Sequence, residues 1–331
     1  WGCALTDTDN FQIGRSQRVV ALAGGVGGAR LADGLAQMMP ADQLTVIVNV
    51  GDDFSHFGLH ISPDLDTVCY TLAQMDNTET GWGLAGETWH TLESLDRLGA
   101  ETWFHLGDHD LATHLERTRR MQAGDSLSQV TASFCQHWGV KTRVLTATDH
   151  KVPTLVYTNE GTLSFQEYFV HRQCIPSVSG FRFEDIEHAR PAPGVLEALF
   201  QADLVILCPS NPWVSIDPIL AIQGIRKTIE DRRRKVDLPV VAVSPIIAGH
   251  TVKGPAAKMY QEMGLTPSAL TVANHYGSLL SGFVMDCQDA DAEANVQALG
   301  LKTLITDTIM RDRAGRKRLA EEIMRRLGDK R

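Results

Sequence analysis

The sequence lacks several patterns that would place it in a common class of proteins. Its six cysteines form no Cys-x-x-Cys pair, which argues against a structural zinc site and suits a reducing cytoplasm. No apolar run reaches the roughly 18 residues needed to cross a membrane. The first 16 residues contain no signal-peptide core, since Asp7, Asp9 and Asn10 interrupt it. We therefore expect a cytoplasmic protein without a membrane partner, in which residues 1–16 form a flexible lead-in.

The chain also lacks an excess of positive charge. Its 31 lysines and arginines face 40 aspartates and glutamates, so the formal net charge is −9. This balance argues against nucleic acid as a partner. Anionic substrates remain compatible with it, because local cations and backbone N–H groups set the potential inside a cleft. The 331 residues are 43% hydrophobic, which is enough for one large α/β domain.

A glycine-rich turn follows the first apolar segment. Residues 18–23 predict a buried strand, residues 24–28 read Gly-Gly-Val-Gly-Gly, residues 29–38 predict a helix and residues 44–50 predict a second strand. Arg30 stands where the dinucleotide-binding fingerprint needs a third glycine, and the Gly-Lys-Ser/Thr of a P-loop is absent. The turn still favours the approach of a ligand to backbone N–H groups. Its candidate residues are Gly24, Gly25, Gly27 and Gly28.

Four further apolar segments predict strands. They are residues 203–208, 239–244, 283–286 and 301–306. About residues 85–190 show helical periodicity followed by a hairpin pattern. The βαβ start predicts a parallel sheet. We therefore predict one α/β domain at 17–331, a doubly wound, mostly parallel Rossmann-like sheet with an inserted, mainly helical subdomain at about 85–190. Its sites should lie at the carboxyl ends of the strands.

Two acidic segments follow the second predicted strand. Asp52 and Asp53 come first, and the segment Ser62-Pro63-Asp64-Leu65-Asp66-Thr67 then places two carboxylates two residues apart. Helix capping accounts for the first residues of that segment but not for Asp66. Four acids beside a glycine turn repel one another unless a cation or hydrogen-bond donors offset their charge. Carboxylate oxygens are the ligands that Mg²⁺ prefers, so the pattern predicts Mg²⁺-assisted phosphoryl chemistry.

A third polar cluster lies in the middle of the chain. Residues 107–110 read Gly-Asp-His-Asp, and His105 comes just before them. Asp108 and His109 together with Asp52 would suit a two-metal phosphoesterase, although the chain has no Gly-His-x-His element to complete such a site. Surface or core histidines are the alternative interpretation.

Small polar loops end two of the later predicted strands. One loop contains Ser-Asn at 210–211, and the other leads to Lys-Gly-Pro-Ala-Ala-Lys at 253–258. A Gly-Pro turn suits entry into a helix, and the flanking lysines can meet phosphate as point charges. The predicted phosphate or nucleotide contacts here are Ser210, Asn211, Lys253, Gly254 and Lys258.

Six blocks stand in a fixed order from about Val19 to the C-terminal helix. They are Ala-Gly-Gly-Val-Gly-Gly-Ala-Arg-Leu (23–31), Asn-Val-Gly-Asp-Asp (49–53), Ser-Pro-Asp-Leu-Asp-Thr-Val (62–68), Leu-Gly-Asp-His-Asp-Leu-Ala-Thr-His (106–114), Pro-Ser-Asn-Pro (209–212), and Val-Ser-Pro-Ile-Ile (243–247) with Gly-Pro-Ala-Ala-Lys (254–258). Together they resemble the 2-phospho-L-lactate transferases of coenzyme F-420 biosynthesis, which in some bacteria are phosphoenolpyruvate transferases.

The resemblance implies a reaction. Enzymes of this family transfer a phosphorylated three-carbon acid, 2-phospho-L-lactate or phosphoenolpyruvate, from its guanosine diphosphate derivative. The acceptor is the ribityl hydroxyl of the deazaflavin 7,8-didemethyl-8-hydroxy-5-deazariboflavin, and GMP leaves. The resemblance also implies Mg²⁺ as cofactor and a homodimer. Two alternatives stay open: a nucleotide-sugar-binding regulator of the same superfamily, which shares the glycine loop and Ser-Asn-Pro-like elements, and the two-metal phosphoesterase.

The resemblance further implies roles for individual residues. Asp52, Asp64 and Asp66 would be catalytic, and Asp52 and Asp66 would hold the metal. Asp66 matches the aspartate that contacts the deazaflavin. His105 and His109 stand where the family usually has basic residues, and a neutral imidazole cannot replace a fixed cation. The predicted substrate contacts are Asp66, Thr67, His105, Asp53, Gly25, Gly27 and Asp108.

Overall fold

The structure, a computed structural model, describes residues 17–328. The predicted lead-in at 1–16 lies outside the described residues. The strands, in chain order, are β1 (Val19–Ala23), β2 (Leu44–Val48), β3 (Phe54–His56), β4 (Leu59–Ile61), β5 (Arg143–Thr146), β6 (Thr154–Thr158), β7 (Gly161–Ser164), β8 (Val178–Phe183), β9 (Leu204–Leu207), β10 (Val240–Val243), β11 (Ile246–Ile247), β12 (His250–Thr251), β13 (Gly282–Asp286) and β14 (Lys302–Thr306).

The α-helices surround these strands. They are α1 (Gly25–Ala36), α2 (Pro63–Leu72), α3 (His90–Arg97), α4 (Asp108–Gln122), α5 (Leu127–His137), α6 (Val195–Gln201), α7 (Asp217–Ala221), α8 (Ile225–Val236), α9 (Ala256–Glu262), α10 (Ala269–Tyr276), α11 (Glu293–Gln297) and α12 (Arg313–Leu327). Single π-helical turns lie at Glu167–His171 and Pro212–Ile216, and 3-10 turns at Gly277–Leu279 and Cys287–Ala292. No helix in the described part of the chain combines the length and apolar composition that crossing a membrane requires.

Seven strands form one parallel sheet in the order β14-β13-β10-β9-β1-β2-β5. The chain winds outward from β1 to β5 on one side and then from β9 to β14 on the other. The order therefore reverses between β1 and β9, where a doubly wound sheet opens its crevice. Strands β1, β9 and β10 are buried along their whole length, as expected when helices cover both faces. The predicted fold class is confirmed.

Six of these seven strands lie within two residues of their predicted positions. The seventh, β5, comes from the region 85–190 and pairs with β2, with Val46 opposite Val144. The rest of that region contributes α3, α4, α5 and a small antiparallel sheet of order β7-β6-β8. Its separation as a subdomain stays a prediction.

The first helix begins earlier than the sequence indicates. We predicted a loop at 24–28 and a helix from Ala29, but α1 already begins at Gly25, so that boundary was wrong. Gly25 has a positive φ of +58°, which favours glycine. The next glycines, Gly27 and Gly28, lie within α1. Because they lack side chains, the loop after β9 can pack closely against them.

Candidate functional site

A cavity of about 720 Å³ opens at the carboxyl ends of the parallel strands. Its wall includes residues from the loops that follow β1, β2, β9 and β10. The predicted site residues in its lining are Gly24, Gly25, Gly27, Asp52, Asp64, Asp66, Thr67, His105, Ser210, Asn211, Lys253 and Gly254. Folding thus brings together residues that lie up to 230 positions apart, from Gly24 to Gly254, at the place where a doubly wound sheet binds its ligands.

The glycine turn makes close contact with other parts of this chain. A Cβ added at Gly24 would lie 2.6 Å from Asp64 Oδ2 and 2.7 Å from Ser215 Cβ, and one at Gly27 would overlap the carbonyl oxygen of Pro209. The hydroxyl of Ser210 donates to the carbonyl oxygen of Gly24 at 2.7 Å. The absent side chains therefore let the loop after β9 and the helix α2 close on the turn. Contact of the same glycines with a ligand stays a prediction.

Two buried carboxyl groups, Asp52 and Asp64, share one hydrogen-bond donor. Asn49, which follows β2, donates through Nδ2 to Asp64 Oδ2 at 2.9 Å, to Asp52 Oδ1 at 3.3 Å and to the carbonyl oxygen of Val214 at 3.0 Å. Each carboxyl is 6% exposed. Within residues 17–328, no Lys, Arg or His nitrogen lies within 4.0 Å of either carboxyl. We call Asp52 and Asp64 the uncompensated pair.

Burial makes the uncompensated pair hard to ionise. Desolvation, followed by the charges of Asp64 and Asp53, raises the pKa of Asp52 well above its usual range, although the Asn49 hydrogen bond opposes this. Desolvation also raises the pKa of Asp64 to about 7, against the hydrogen bond from Asn49. A bound cation would favour the ionised form of both carboxyls and lower these raised pKa values.

The third acid, Asp66, is paired with a buried arginine. Arg117 on α4 donates through Nη1 to Asp66 Oδ2 at 3.0 Å and through Nη2 to Asp66 Oδ1. The two residues are 2% and 5% exposed. Burial opposes the charge of Arg117, but the charge and hydrogen bonds of Asp66 outweigh it and raise the pKa of the guanidinium. A bidentate pair of this kind fixes the orientation of the carboxylate. We call it the Asp66–Arg117 pair.

Asp66 also belongs to a group of residues that could hold a metal ion. One ligand atom each from Asp66, Asp110 and His114 lies within 4.8 Å of the others, and all three residues line the cavity. The side chains of this group already contact neighbouring residues. Tyr70 donates its hydroxyl to Asp110 Oδ1 at 2.7 Å, and Arg117 Nη1 lies 3.2 Å from His114 Nδ1.

Aromatic rings form another part of the cavity wall. Trp103, Phe104, Phe165 and Phe169 all line it. Phe165 and Phe169 stack with an interplanar angle of 7° and ring centroids 5.5 Å apart. Trp103 packs against Phe104 edge to face at 5.8 Å. Flat, apolar walls of this kind suit a planar ring system.

Four predicted site residues lie outside this lining. Asp53 Oδ2 accepts hydrogen bonds from Ser62 Oγ at 2.8 Å and His60 Nε2 at 2.9 Å. Gly28 packs beneath Ser210, whose Oγ would lie 3.0 Å from a Cβ added there.

The other two residues outside the lining form contacts elsewhere in the fold. Asp108 accepts hydrogen bonds from Thr88 Oγ1 and from the backbone N–H groups of His90 and Thr91 at the start of α3. Lys258 pairs with Glu262 and donates to the carbonyl oxygen of Pro176 at 3.2 Å. The roles predicted for these four residues stay predictions.

The residues that bond to the site aspartates were not predicted as site residues from the sequence. Asn49, Asp110 and His114 all lie within blocks quoted above, yet no role was assigned to them. The spacing of Asp110, His114 and Arg117 was an available signal, because residues four and three apart share one face of a helix. Arg117 itself lies outside every block, and its partner Asp66 is 51 positions away.

The comparisons with known proteins identify the family of this chain. A family model described as 2-phospho-L-lactate transferase CofD matches residues 19–323. The chain therefore belongs to the 2-phospho-L-lactate transferase CofD family. The predicted family is confirmed, and with it the prediction of an enzyme that transfers a substituted phosphate group in coenzyme F-420 biosynthesis.

Named relatives are similar over nearly the whole chain. Phosphoenolpyruvate transferase of Streptomyces coelicolor is 43% identical over 313 residues, which cover 93% of this chain and 97% of that protein. 2-Phospho-L-lactate transferase of Methanosarcina acetivorans is 37% identical over 306 residues, 92% of this chain and 98% of that protein. A crystal structure of a UPF0052 family member from Bacillus halodurans has a TM-score of 0.62 at 17% identity and covers 94% of this chain and 99% of that one. This last likeness shows a shared fold.

Proposed function

We propose that this chain transfers 2-phospho-L-lactate or phosphoenolpyruvate from its guanosine diphosphate derivative to the ribityl hydroxyl of 7,8-didemethyl-8-hydroxy-5-deazariboflavin, releasing GMP, with Mg²⁺ as cofactor. The observation that carries the proposal is a single cavity that joins three carboxylates, Asp52, Asp64 and Asp66, to a wall of aromatic rings. The names of the relatives from Streptomyces coelicolor and Methanosarcina acetivorans support the two donors.

The uncompensated pair fits a divalent cation. Its two carboxyl groups are buried, lie within 3.3 Å of one amide nitrogen and have raised pKa values that a bound cation would lower. Of the two residues that the sequence analysis assigned to the metal, Asp52 keeps that role here. Asp64 replaces Asp66, because Arg117 already neutralises Asp66. Mg²⁺ in this position would neutralise diphosphate charge that develops as GMP leaves.

Asp66 is suited to hold the acceptor hydroxyl. Arg117 fixes its carboxylate in one orientation inside the cavity, and each carboxylate oxygen keeps acceptor capacity for an O–H donor. Phosphoryl transfer depends mainly on positioning and charge neutralisation. An oriented Asp66 would therefore place the ribityl oxygen for attack on phosphorus. Thr67 and His105, which also line the cavity, remain proposed substrate contacts.

The aromatic wall is suited to the deazaflavin ring. Trp103 and Phe104 on one segment and Phe165 and Phe169 on another line the same cavity that contains Asp66. A tricyclic ring packed against these side chains would direct its ribityl chain towards the carboxylates.

The direct test is a product assay. The protein is incubated with the deazaflavin, Mg²⁺ and the guanosine diphosphate derivative of either L-lactate or enolpyruvate, and the product is identified by mass. We expect the deazaflavin to gain the phosphorylated three-carbon acid, with one GMP formed per product. Failure with both donors, together with calorimetric binding of a UDP-sugar, would instead favour the nucleotide-sugar-binding regulator. The proposed homodimer is checked separately by light scattering.

A further inference from the structure

Two cations also lie in the cavity wall. Arg30 on α1 comes four residues after Val26 and three after Gly27, so all three share one helix face, and all three line the cavity. Lys253, in the loop after β12, also lines it. Arg30 stands where the dinucleotide fingerprint needs a third glycine, and its position in the sequence predicted no binding role.

Neither cation has an acidic partner. Among residues 17–328, no carboxylate oxygen lies within 4.0 Å of Arg30 or Lys253. Arg30 Nη1 donates to the carbonyl oxygen of Met310 at 3.3 Å, and Lys253 Nζ donates to the carbonyl oxygen of Thr80. Arg316 differs, because it is buried and pairs with Asp33 at 3.1 Å.

Burial and neighbouring positive charges disfavour the charged form of both cations. Burial and then the charge of Arg316 lower the pKa of Arg30, with Asp76 opposing, whereas burial and then the charge of Arg30 lower the pKa of Lys253. A Cβ added at Gly81 would overlap Lys253 Nζ and lie 3.3 Å from Val26 Cγ1. The ammonium therefore lies beside the first turn of α1, one turn from Arg30. An exposed ammonium close to a partly buried guanidinium that disfavours its charge forms a positive site that an anion would stabilise.

We propose that Arg30 and Lys253 bind the carboxylate of the three-carbon acid in the donor, an inference that rests on the proposed function. The donor carries a diphosphate and one further charge, this carboxylate, which GDP lacks. In the proposed function, Mg²⁺ at the uncompensated pair offsets the diphosphate. The planar guanidinium of Arg30 matches a planar carboxylate with two parallel hydrogen bonds. The cation pair would thus distinguish the donor from GDP and GMP.

Calorimetry on Arg30→Met separates this role from phosphate binding. We expect affinity for the guanosine diphosphate ester of L-lactate to fall roughly ten- to hundredfold, while affinity for GDP changes less than about twofold. Arg30→Lys should retain part of the affinity. Arg313→Met is the matched control, because Arg313 pairs with Asp33 of the same helix α1 at 3.6 Å but is absent from the cavity lining; its donor affinity should be unchanged.

Two results would overturn the assignment. Equal losses of affinity for GDP and for the lactate ester would mean that Arg30 contacts the phosphates or the base. No loss of affinity for either ligand would mean that Arg30 does not contact the donor. If Arg30→Met does not fold, the wild-type protein supplies the measurement. A guanosine diphosphate ester of isopropanol lacks the carboxylate, so the wild-type protein should bind it no better than it binds GDP. Tight binding of that ester would also reject the proposal. Absence of any binding of GDP, donor and deazaflavin to the wild type would instead reject the proposed function.

Discussion

Asp64 and Asp66 stand two residues apart on α2, yet their surroundings differ completely. Both are buried, at 6% and 5% exposure. An α-helix turns about 100° per residue, so the two side chains leave α2 in nearly opposite directions. Asn49 donates hydrogen bonds to Asp64 and to Asp52, and no cation in residues 17–328 pairs with either carboxyl. Asp66 instead pairs with the guanidinium of Arg117.

This difference teaches that one acidic motif can serve two purposes. Arg117 neutralises Asp66 inside the protein, so the Asp66–Arg117 pair is complete before any ligand binds. The uncompensated pair is incomplete, and its raised pKa values record the unfavourable free energy of ionising it. A cation bound there would gain from relieving that repulsion. The complete pair orients the acceptor in our proposal, and the incomplete pair binds the metal.

Breaking the Asp66–Arg117 pair should have the largest effect. Arg117→Met leaves the Asp66 carboxylate buried without its cation, and we expect it to lower the free energy of unfolding by about 3–5 kcal/mol, measured by urea denaturation. The double variant Asp66→Asn/Arg117→Met should recover much of that loss. Arg119→Met, which breaks the exposed pair with Glu116 on the same helix, serves as control and should change stability little. Equal effects of Arg117→Met and Arg119→Met would contradict the comparison.

Neutralising Asp64 should separate stability from activity. At pH 8 we expect the free energy of unfolding of Asp64→Asn to be no lower than that of the wild type, because the substitution removes the repulsion between the Asp64 and Asp52 carboxyls. Turnover should fall by roughly 100-fold, as expected when metal charge stabilisation is lost. Addition of Mg²⁺ should raise the Tm of the wild type but not of the variant.

The control for that variant is Asp149→Asn. Asp149 lies outside the cavity lining and accepts hydrogen bonds from Ser128 at the start of α5, and asparagine can keep this capping role. Its turnover should stay within a few-fold of the wild type. A full response of Asp64→Asn to Mg²⁺ would remove Asp64 from the proposed metal site.

The glycine turn that packs against Asp64 offers a smaller test. Gly27→Ala would drive a methyl group into the carbonyl oxygen of Pro209, and we expect a loss of about 1–3 kcal/mol in urea denaturation. Gly180→Ala is the matched control, because its Cβ would lie at an ordinary 3.5 Å from Tyr157 Cδ2. A stabilised Gly27→Ala would show that this close approach does not constrain the turn.

The pH dependence of stability should change least from one measured pH to the next. The pKa of Asp64 is about 7 in the folded protein and about 3.9 in an unfolded chain. Between these values the folded state holds a proton that the unfolded state has released, so this contribution to stability falls as pH rises from about 4 to about 7 and is constant above.

The contribution of Asp64 to the free energy of unfolding changes by at most about 1.4 kcal/mol per pH unit. Urea denaturation without Mg²⁺ at pH 5, 6, 7 and 8 should therefore show Asp64→Asn gaining stability relative to the wild type up to pH 7. Parallel curves for the two proteins would argue against a raised pKa at this position.

Much of the sheet could be predicted from local sequence. Six parallel strands are short apolar runs bounded by polar turns, and a fully buried strand requires that pattern. Strand β5 escaped prediction because Arg-Val-Leu-Thr is short and lies at the edge of the sheet, with the first residue exposed. The start of α1 was also missed, since a glycine run favours a loop unless a neighbour packs against it.

The sequence by itself determined the family, the positions of six of the sheet's seven strands along the chain and the clustering of aspartates at strand ends, because each of these is a local pattern or an ordered set of blocks. Only the tertiary structure decided which aspartate meets a cation. Arg117 comes from a helix 51 positions away from Asp66, and Asn49 joins Asp52 to Asp64 across a turn. The charge state of a buried carboxyl depends on desolvation and on distances of a few ångströms to its neighbours, and those distances exist only once the chain has folded.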